Sequence, residues 1–277
     1  MEYPLLSLEL AREIELAGAE AAVTCAERLS AKHGNGAGAV ASVAGGFAVY
    51  CGSNSPVTQA VGLGLSGAVS REEFDRLEEF YFSREEPVRV ETCPMADGSL
   101  IEHYRERGYH VSEFSNVMVL PVEKAAAAVL PAGIEIQKME DEQIDLWTLT
   151  VAQGFAEHFP VTQELLDIMR LFAHAKNTEC YFARVDGKIA GGATLAVRGR
   201  IAGLFGASTL LQFRNRGVQT ALLYARMQRA AERGCELAMS LAVPGSASQR
   251  NITRRGFRTL YTRVKFERES PAESDGA

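Results

Sequence analysis

The chain has 277 residues, of which 47% are hydrophobic and 23% charged, and its formal net charge is −6. This length and composition suffice to bury two ordinary hydrophobic cores. The acidic balance and the lack of a recognised nucleic-acid-binding motif argue against nucleic acid as a partner. Five cysteines, an odd number without paired spacing, indicate reduced thiols and a cytoplasmic location. The five histidines show no ligand spacing, so no metal is expected.

The first 120 residues predict helices and strands in mixed order. An acidic, alanine-rich helix is expected from about Ser7 to Ala31. It has neither a basic n-region nor a long apolar run, so it is neither a signal peptide nor a membrane span, and no membrane partner is expected. The other elements expected here are two apolar segments, a helix opened by a Ser70/Glu73 capping box, a strand, a helix and final strands, at 40–51, 57–65, 70–82, 88–93, 99–107 and 111–120.

A glycine motif in this part, Gly62-Leu-Gly64-Leu-Ser-Gly67, has the spacing of a dinucleotide fingerprint. Such a site requires that the glycines open a helix. The first two glycines are instead embedded in an apolar run, 61–65, which predicts a strand, and the next helix has its own cap at Ser70. We therefore do not expect a dinucleotide site.

The second half of the chain begins after a connecting segment, 121–133, and predicts a further set of alternating elements. Asp186-Gly187 between two apolar runs is a strong hairpin signal, and Thr162 is suited to cap a helix. The elements expected are a strand, a helix, a second helix, the two hairpin strands and a further strand, at 134–137, 141–155, 162–176, 180–185, 188–197 and 201–209.

The turn after the last of these strands is the most informative stretch of the sequence. It leads through Arg214-x-x-Gly217 directly into a helix, in which Val218 and Leu222 recur at helical spacing. The first N–H groups of such a helix are unpaired and aimed at one point, an arrangement that binds phosphate. Arg216 adds a second cation, and Gly217 permits close backbone approach. The pattern predicts a site for the pyrophosphate of a nucleotide-like cofactor.

The charge distribution favours an anionic ligand in the same region. Residues 198–268 contain fourteen basic and three acidic residues, a net charge of +11, so the remainder of the chain carries −17. Such asymmetry indicates that the basic part meets a polyanion. The alternative is a solvated basic helix face, which would account for Arg226, Arg229 and Arg233.

These features give residues 134–267 a resemblance to GNAT-superfamily N-acetyltransferases, which transfer an acetyl group from acetyl-CoA to an amine. Arg214 and Gly217 match the family's Gln/Arg-x-x-Gly-x-Gly/Ala loop, whereas Gln219 replaces its small residue and is expected to point away from the pyrophosphate. A strand at 236–243, a short helix and Gly256-Phe257 continue the likeness. The resemblance implies that acetyl-CoA, as co-substrate, is bound by Ala207, Ser208, Thr209, Leu210, Leu211, Arg214, Asn215, Arg216, Gly217, Val218, Gln219, Thr220, Ser248 and Asn251.

The catalytic groups of the family are not matched. Ile252 occupies the position where many members have the tyrosine that protonates the leaving thiolate, and Gly245 replaces a family asparagine. Glu157 and His158 are polar residues near the expected substrate mouth, although an ordinary loop explains both. The general acid and general base therefore stay unassigned.

The end of the first half repeats the end of the second. Arg107-Gly108-Tyr109 and Arg255-Gly256-Phe257 each join a helix to a strand, 148 residues apart. The first half thus resembles a degenerate GNAT domain that lacks the Arg-x-x-Gly turn. Tyr104 occupies the family's tyrosine position in this half, and we expect it to serve packing and not catalysis. The expected fold is an α/β (α+β layered) pair of GNAT-like domains, each with a mixed, mostly antiparallel central sheet flanked by helices.

The predicted organisation is a degenerate GNAT-like domain, a linker, an acetyl-CoA-binding GNAT domain and a disordered acidic tail, at 1–120, 121–133, 134–268 and 269–277. The resemblance implies an N-acetyltransferase that acts on a small-molecule or peptide amine. The alternative is a non-catalytic acyl-CoA-binding or regulatory module. One acetyl-CoA per chain is expected, in a monomer that forms an internal pseudo-dimer or in a homodimer.

Overall fold

The computed structural model describes residues 2–34, 36–53, 55–124, 131–155 and 161–270. In chain order these residues form α1 (Leu8–His33), β1 (Ala39–Val43), β2 (Gly46–Tyr50), β3 (Gln59–Val61), α2 (Arg71–Phe82), β4 (Val88–Thr92), α3 (Ser99–Arg107), β5 (His110–Pro121), β6 (Ile134–Lys138), α4 (Ile144–Phe155), α5 (Gln163–Ala173), β7 (Thr178–Val185), β8 (Lys188–Arg198), β9 (Ile201–Thr209), α6 (Val218–Glu232), β10 (Leu237–Ala242), α7 (Ala247–Thr253) and β11 (Arg258–Arg268).

The chain divides into two compact units, and neither is continuous in sequence. The N-terminal unit comprises 5–117, 242–255 and 259–277, and the C-terminal unit comprises 1–4, 118–241 and 256–258. The last helix and nearly all of the last strand, α7 and β11, therefore belong to the N-terminal unit. Within the described ranges, no helix is both long and apolar enough to cross a membrane.

The N-terminal unit has the strand order β1-β2-β3-β4-β11-β5. Neighbouring strands pair antiparallel in β1/β2, β2/β3 and β4/β11, whereas β3 and β4 run parallel. The helix α2 connects these two parallel strands, and its capping box between Ser70 and Glu73 is formed as predicted. Its apolar face buries Phe74, Leu77 and Tyr81 in the core of the unit.

Left-handed backbone shapes two apolar segments of this unit. The segment 40–51 forms a hairpin, because Ala44 and Gly45 turn the chain with φ of 49° and 79°. The predicted strand over 61–65 was wrong beyond Val61, because Gly62 and Gly64 have φ of 74° and 70°, which extended backbone does not allow. The glycines still do not open a helix, since α2 begins only after Ser70.

The C-terminal unit has the strand order β6-β7-β8-β9-β10-β5. Its strands pair antiparallel from β6 to β9, and β9 and β10 are parallel. The predicted hairpin around Asp186-Gly187 is confirmed, and Thr162 caps α5, which ends at Ala173 rather than at 176. Trp147 and Val151 of α4 pack on Phe182 of the sheet to form the core.

The two halves of the sequence contain the same succession of elements, β3-α2-β4-α3-β5 in the first and β9-α6-β10-α7-β11 in the second. In each series, a helix crosses over between two parallel neighbouring strands. A left-handed glycine then follows the second helix, Gly108 with φ of 75° and Gly256 with φ of 95°. This confirms the repeat and the predicted fold class.

The outer face of the C-terminal unit carries an ion cluster on Glu179 of β7. The nearly buried carboxylate accepts hydrogen bonds from Arg229 at 2.9 Å, from Arg233 at 2.7 Å and from the Tyr181 hydroxyl at 2.7 Å. Burial alone would raise the pKa of Glu179, but the hydrogen bonds from Arg229 and Tyr181 and the charge of Lys138 outweigh it and lower the pKa to about 2. The cluster therefore fixes the end of α6 to the sheet.

We expect Glu179→Gln to lower the free energy of unfolding at neutral pH by about 2 kcal/mol, because it removes the charge that two guanidinium groups share. Since the pKa of Glu179 is lower in the folded than in the unfolded chain, its contribution is complete above about pH 5 and is lost as the pH falls towards 2. Urea unfolding of both proteins at several pH values measures this, and the stability difference should shrink on acidification. The control Glu232→Gln removes an exposed partner of Arg229 and should change stability by less than about 0.5 kcal/mol.

Candidate functional site

The site lies at the end of β9, where the strand bulges away from its neighbour. Gly192 of β8 stands opposite Ser208 and Thr194 stands opposite Phe205, so two residues of β9 face one residue of β8. One of the two, Gly206, has a φ of 57°, which favours glycine. The strand therefore bulges at Gly206 and Ala207, and its pairing with β8 resumes at Ser208 and Thr209.

The backbone beyond the bulge is held by close packing. A Cβ on Gly191 of β8 would lie 2.3 Å from the Ser208 carbonyl oxygen, and one on Gly154 of α4 would lie 2.4 Å from the Ser208 Oγ. That hydroxyl donates to the Val151 carbonyl at 2.9 Å. Within the part of the chain that the structure describes, the buried Thr209 Oγ1 has no hydrogen-bond partner. The end of β9 thus contains a buried hydroxyl that has no hydrogen-bond partner among these residues.

The turn after β9 contains two left-handed residues. A single 3₁₀ turn at Leu211–Phe213 is followed by Asn215 with φ of 60° and Gly217 with φ of 85°. A Cβ on Gly217 would have its nearest neighbours at 3.6 Å, so the backbone angle, and not space, requires glycine. The Arg214 side chain reaches the Gly154 carbonyl at 3.4 Å, and exposed Arg216 pairs with Asp186 at 3.0 Å.

The helix that follows begins without a capping side chain, because its N-cap residue is Gly217. The helices α1, α2, α5 and α7 begin instead with a serine or threonine that accepts a hydrogen bond from the first turn, Ser7, Ser70, Thr162 and Ser246. The helix α6 has 15 residues, which is long enough for an appreciable helix dipole. The start of α6 thus combines backbone amides, the positive end of the helix dipole and two arginines in the preceding turn, which are the elements of a phosphate site.

The predicted cofactor residues fall into two groups. Ala207 to Leu211 and Arg214 to Thr220 lie together in the C-terminal unit, with Gln219 exposed. Ser248 and Asn251 are exposed residues of α7, which belongs to the N-terminal unit, as does Ile252. Glu157 and His158 lie outside the described residues.

The solvated-helix interpretation of the basic residues in α6 was wrong for Arg226. Its side chain is buried, and it donates hydrogen bonds to backbone carbonyls, because a guanidinium without water needs acceptors. Arg229 and Arg233 are partly exposed but are bound to Glu179. Much of the basic surplus therefore has partners within the protein.

The corresponding turn of the N-terminal unit is built differently. Val69 stands 148 residues before Gly217, and its amide is not available to a ligand, because it donates to the Ser99 Oγ at 2.8 Å. The next amides are used as well, since Ser70 N donates to Glu73 Oε2 and Glu73 N donates to Ser70 Oγ. Tyr104 is buried in this unit, where its ring stacks on Phe266 and its hydroxyl lies 2.8 Å from Thr92 Oγ1. The packing role that the sequence favoured for Tyr104 is consistent with this environment.

Sequence reasoning missed Gly154 and Gly191, which make room for the end of β9. The pair Gly191-Gly192 inside an apolar strand was an available signal, because glycine in a strand often marks the close approach of another backbone. No comparable signal marks Gly154, whose neighbour Ser208 is distant in sequence. In the described ranges, no group of three or more metal-binding side chains is placed to hold an ion.

Comparisons with known proteins agree with this arrangement. Residues 138–257 match the model of the acetyltransferase (GNAT) family. No curated protein sequence matches the chain. The fold is similar to that of a GCN5-related N-acetyltransferase from Kribbella flavida, with a TM-score of 0.65, 14% identity and coverage of 92% of this chain and 98% of that one. It is also similar to a tandem GNAT protein from the clavulanic acid biosynthesis pathway, with a TM-score of 0.60, 13% identity and 99% coverage of both chains.

Residues 138–257 therefore carry the sequence pattern of the acetyltransferase (GNAT) family. The whole chain has the fold of a tandem GNAT protein.

We expect Gly154→Ala to destabilise the protein by about 1–3 kcal/mol, because the added methyl group would overlap Ser208. This loss would occur although alanine is the better helix former by about 1 kcal/mol. Thermal or urea unfolding measures it. Gln153→Ala, at the exposed neighbouring position of α4, is the control and should be neutral or slightly stabilising. Equal stability of the two variants would show that β9 does not press on α4 at Gly154.

Proposed function

We propose that the protein is an acetyl-CoA-dependent N-acetyltransferase whose co-substrate binds at residues 207–220. The observation that carries the proposal is the uncapped N-terminus of α6 behind the left-handed Gly217, with Arg214 and Arg216 beside it. This arrangement suits a pyrophosphate, and it lies within the segment that matches the GNAT family.

The end of β9 suits the opposite, acyl end of the same ligand. Acetyl-CoA would supply an activated acyl group as a thioester. The bulge leaves Gly206 and Ala207 outside the regular β8 ladder, so that their backbone polar groups become available to a ligand, before pairing resumes at Ser208 and Thr209. The orphan Thr209 Oγ1 adds one buried group that a bound molecule would satisfy.

The acceptor is proposed to be a small-molecule or peptide amine. Nucleophilic attack requires the neutral amine, so a base or a water relay must take its proton, and the departing thiolate must receive one. β9 carries no acidic residue, and Ile252 has no proton to give. We assign both proton transfers to solvent or to groups not yet identified, and the protein's part to orienting the thioester.

A non-catalytic acyl-CoA-binding module is the second candidate, favoured by the apolar Ile252 at the family's tyrosine position. The two candidates share the ligand site and differ in turnover. Incubation with acetyl-CoA and a panel of small and peptide amines, followed by measurement of the released CoA thiol, separates them. Amine-dependent thiol release supports the enzyme. Acetyl-CoA binding without release by any amine supports the binding module.

We expect Gly217→Asp to abolish acetyl-CoA binding, because it adds a negative charge and a strained side chain where the backbone must approach phosphate. The measurement is the rise in melting temperature on adding millimolar acetyl-CoA, which reports preferential binding to the folded protein. Gly234→Asp is the control, since Gly234 has a similar φ of 73° with open space around it but lies after the end of α6. Wild-type protein without any thermal shift would contradict the proposed site.

The stoichiometry should be one acetyl-CoA per chain, because the turn of the N-terminal unit that corresponds to Gly217 is capped and has used its amides. Calorimetric titration measures this number, and two equivalents would show a second working site. Arg214→Ala combined with Arg216→Ala should weaken binding by about 100-fold or more, since each charge-assisted contact contributes on the order of 1.5–3 kcal/mol. Arg184→Ala with Arg200→Ala removes the same charge elsewhere in the C-terminal unit and should leave affinity nearly unchanged.

A further inference from the structure

A buried arginine lies beneath the bulge of β9. The side chain of Arg226 projects from α6, and the residue is only 3% exposed. Its Nε donates to the Leu222 carbonyl of its own helix at 3.0 Å, and its NH1 donates to the Thr194 carbonyl at 2.9 Å and to the Phe205 carbonyl at 3.3 Å. The guanidinium thus joins α6 to both β8 and β9.

The two strand carbonyls are those at which the bulge begins. Thr194 and Phe205 are register partners, and the next register pair in the direction of the site is Gly192 with Ser208. Between these pairs the ladder is interrupted, and Gly206 adopts its left-handed conformation. A carbonyl beside a bulge loses regular ladder partners, and buried carbonyls need a donor. One nitrogen of Arg226 serves both.

Burial of the charged Arg226 guanidinium has a desolvation cost that an apolar residue at this position of the helix would not have. Burial lowers the pKa of Arg226 to about 10, which still leaves the group charged at neutral pH. Leu222 and Ala230, four residues before and after it, are buried apolar residues of the same helix face. An apolar side chain at 226 would continue that face but could not donate to the bulge.

We propose that Arg226 is a positioning residue for acyl transfer, which fixes the bulge of β9 and thereby the orientation of the Ala207–Thr209 backbone. The proposal rests on the proposed function, because that backbone is the segment assigned to the thioester. Arg226 itself contacts the strands and not the assigned pyrophosphate turn. Its loss should therefore affect the acyl end of the site more than the CoA end.

The test compares Arg226→Met and Arg226→Lys with wild type and with Arg229→Met. The control removes an arginine from the same helix that contacts Glu179 on the surface instead of the bulge. Three quantities are measured: the dissociation constant for CoA, kcat against KM for acetyl-CoA, and amide hydrogen exchange at residues 206–210 in the ligand-free proteins.

We expect Arg226→Met to lower kcat by about tenfold or more with CoA affinity within about threefold of wild type, and to speed exchange at 206–210 by about tenfold. Arg226→Lys keeps the charge but has one donor nitrogen, so its kcat and exchange rates should lie between those of wild type and Arg226→Met. It replaces Arg226→Met in the test if the methionine variant does not fold. Exchange and kcat no different from those of Arg229→Met would overturn the proposal. If the wild type neither binds nor turns over acetyl-CoA, the proposed function fails, while the exchange comparison still decides whether Arg226 fixes the bulge.

Discussion

The packing of the C-terminal unit and the geometry at the start of α6 depend on the path of the backbone at the end of β9. The strand must bulge at Gly206, pass close to Gly154 and Gly191 and then turn into α6 through a left-handed residue. Each of these steps restricts the sequence to glycine or a small side chain, because a Cβ would either overlap a neighbour or force an unfavourable φ. The same steps leave the N-terminus of α6 uncapped. The geometry of the proposed anion site therefore follows from the path of the backbone, and the arginines add positive charge to it.

The distribution of charge takes a different meaning once the fold is known. Residues 198–268 carry a surplus of +11, which the sequence alone attributes to an anionic ligand or to a solvated face. Within the N-terminal unit, buried Arg263 lies between Glu15 at 2.9 Å and Glu91 at 2.8 Å, and Arg268 pairs with Glu78 at 2.6 Å. Acidic residues from the first half of the sequence thus neutralise basic residues of the last strand. Much of the asymmetry along the chain is an internal pairing, so it is weaker support for a polyanion than the turn at Gly217.

Sequence patterns predicted the elements around the site well, because short-range signals specify them. The span of β9, the hairpin at Asp186-Gly187 and the start of α6 at Val218 all depend on glycine, turn residues and periodicity within a few positions. The burial of Arg226 was not predicted, although this residue continues the apolar row of Leu222 and Ala230. What no local pattern could supply is its set of acceptors on β8 and β9, or the contact of Gly154 with Ser208. These depend on which helix packs on which strand, and that is a property of the tertiary fold.

The two halves show how a repeated set of elements can differ in chemistry through very few positions. The helix α2 corresponds to α6, but Ser70 and Glu73 satisfy each other's amides at its start, and Val69 is buried where Gly217 lies in the other turn. A capping box stabilises the helix by consuming the same N–H groups that an anion would need. A helix N-terminus therefore serves either its own cap or a phosphate ligand. On this reasoning the N-terminal unit gains helix stability at the position where the C-terminal unit has the proposed site, and the capping box, as much as the missing arginines, argues against an anion site there.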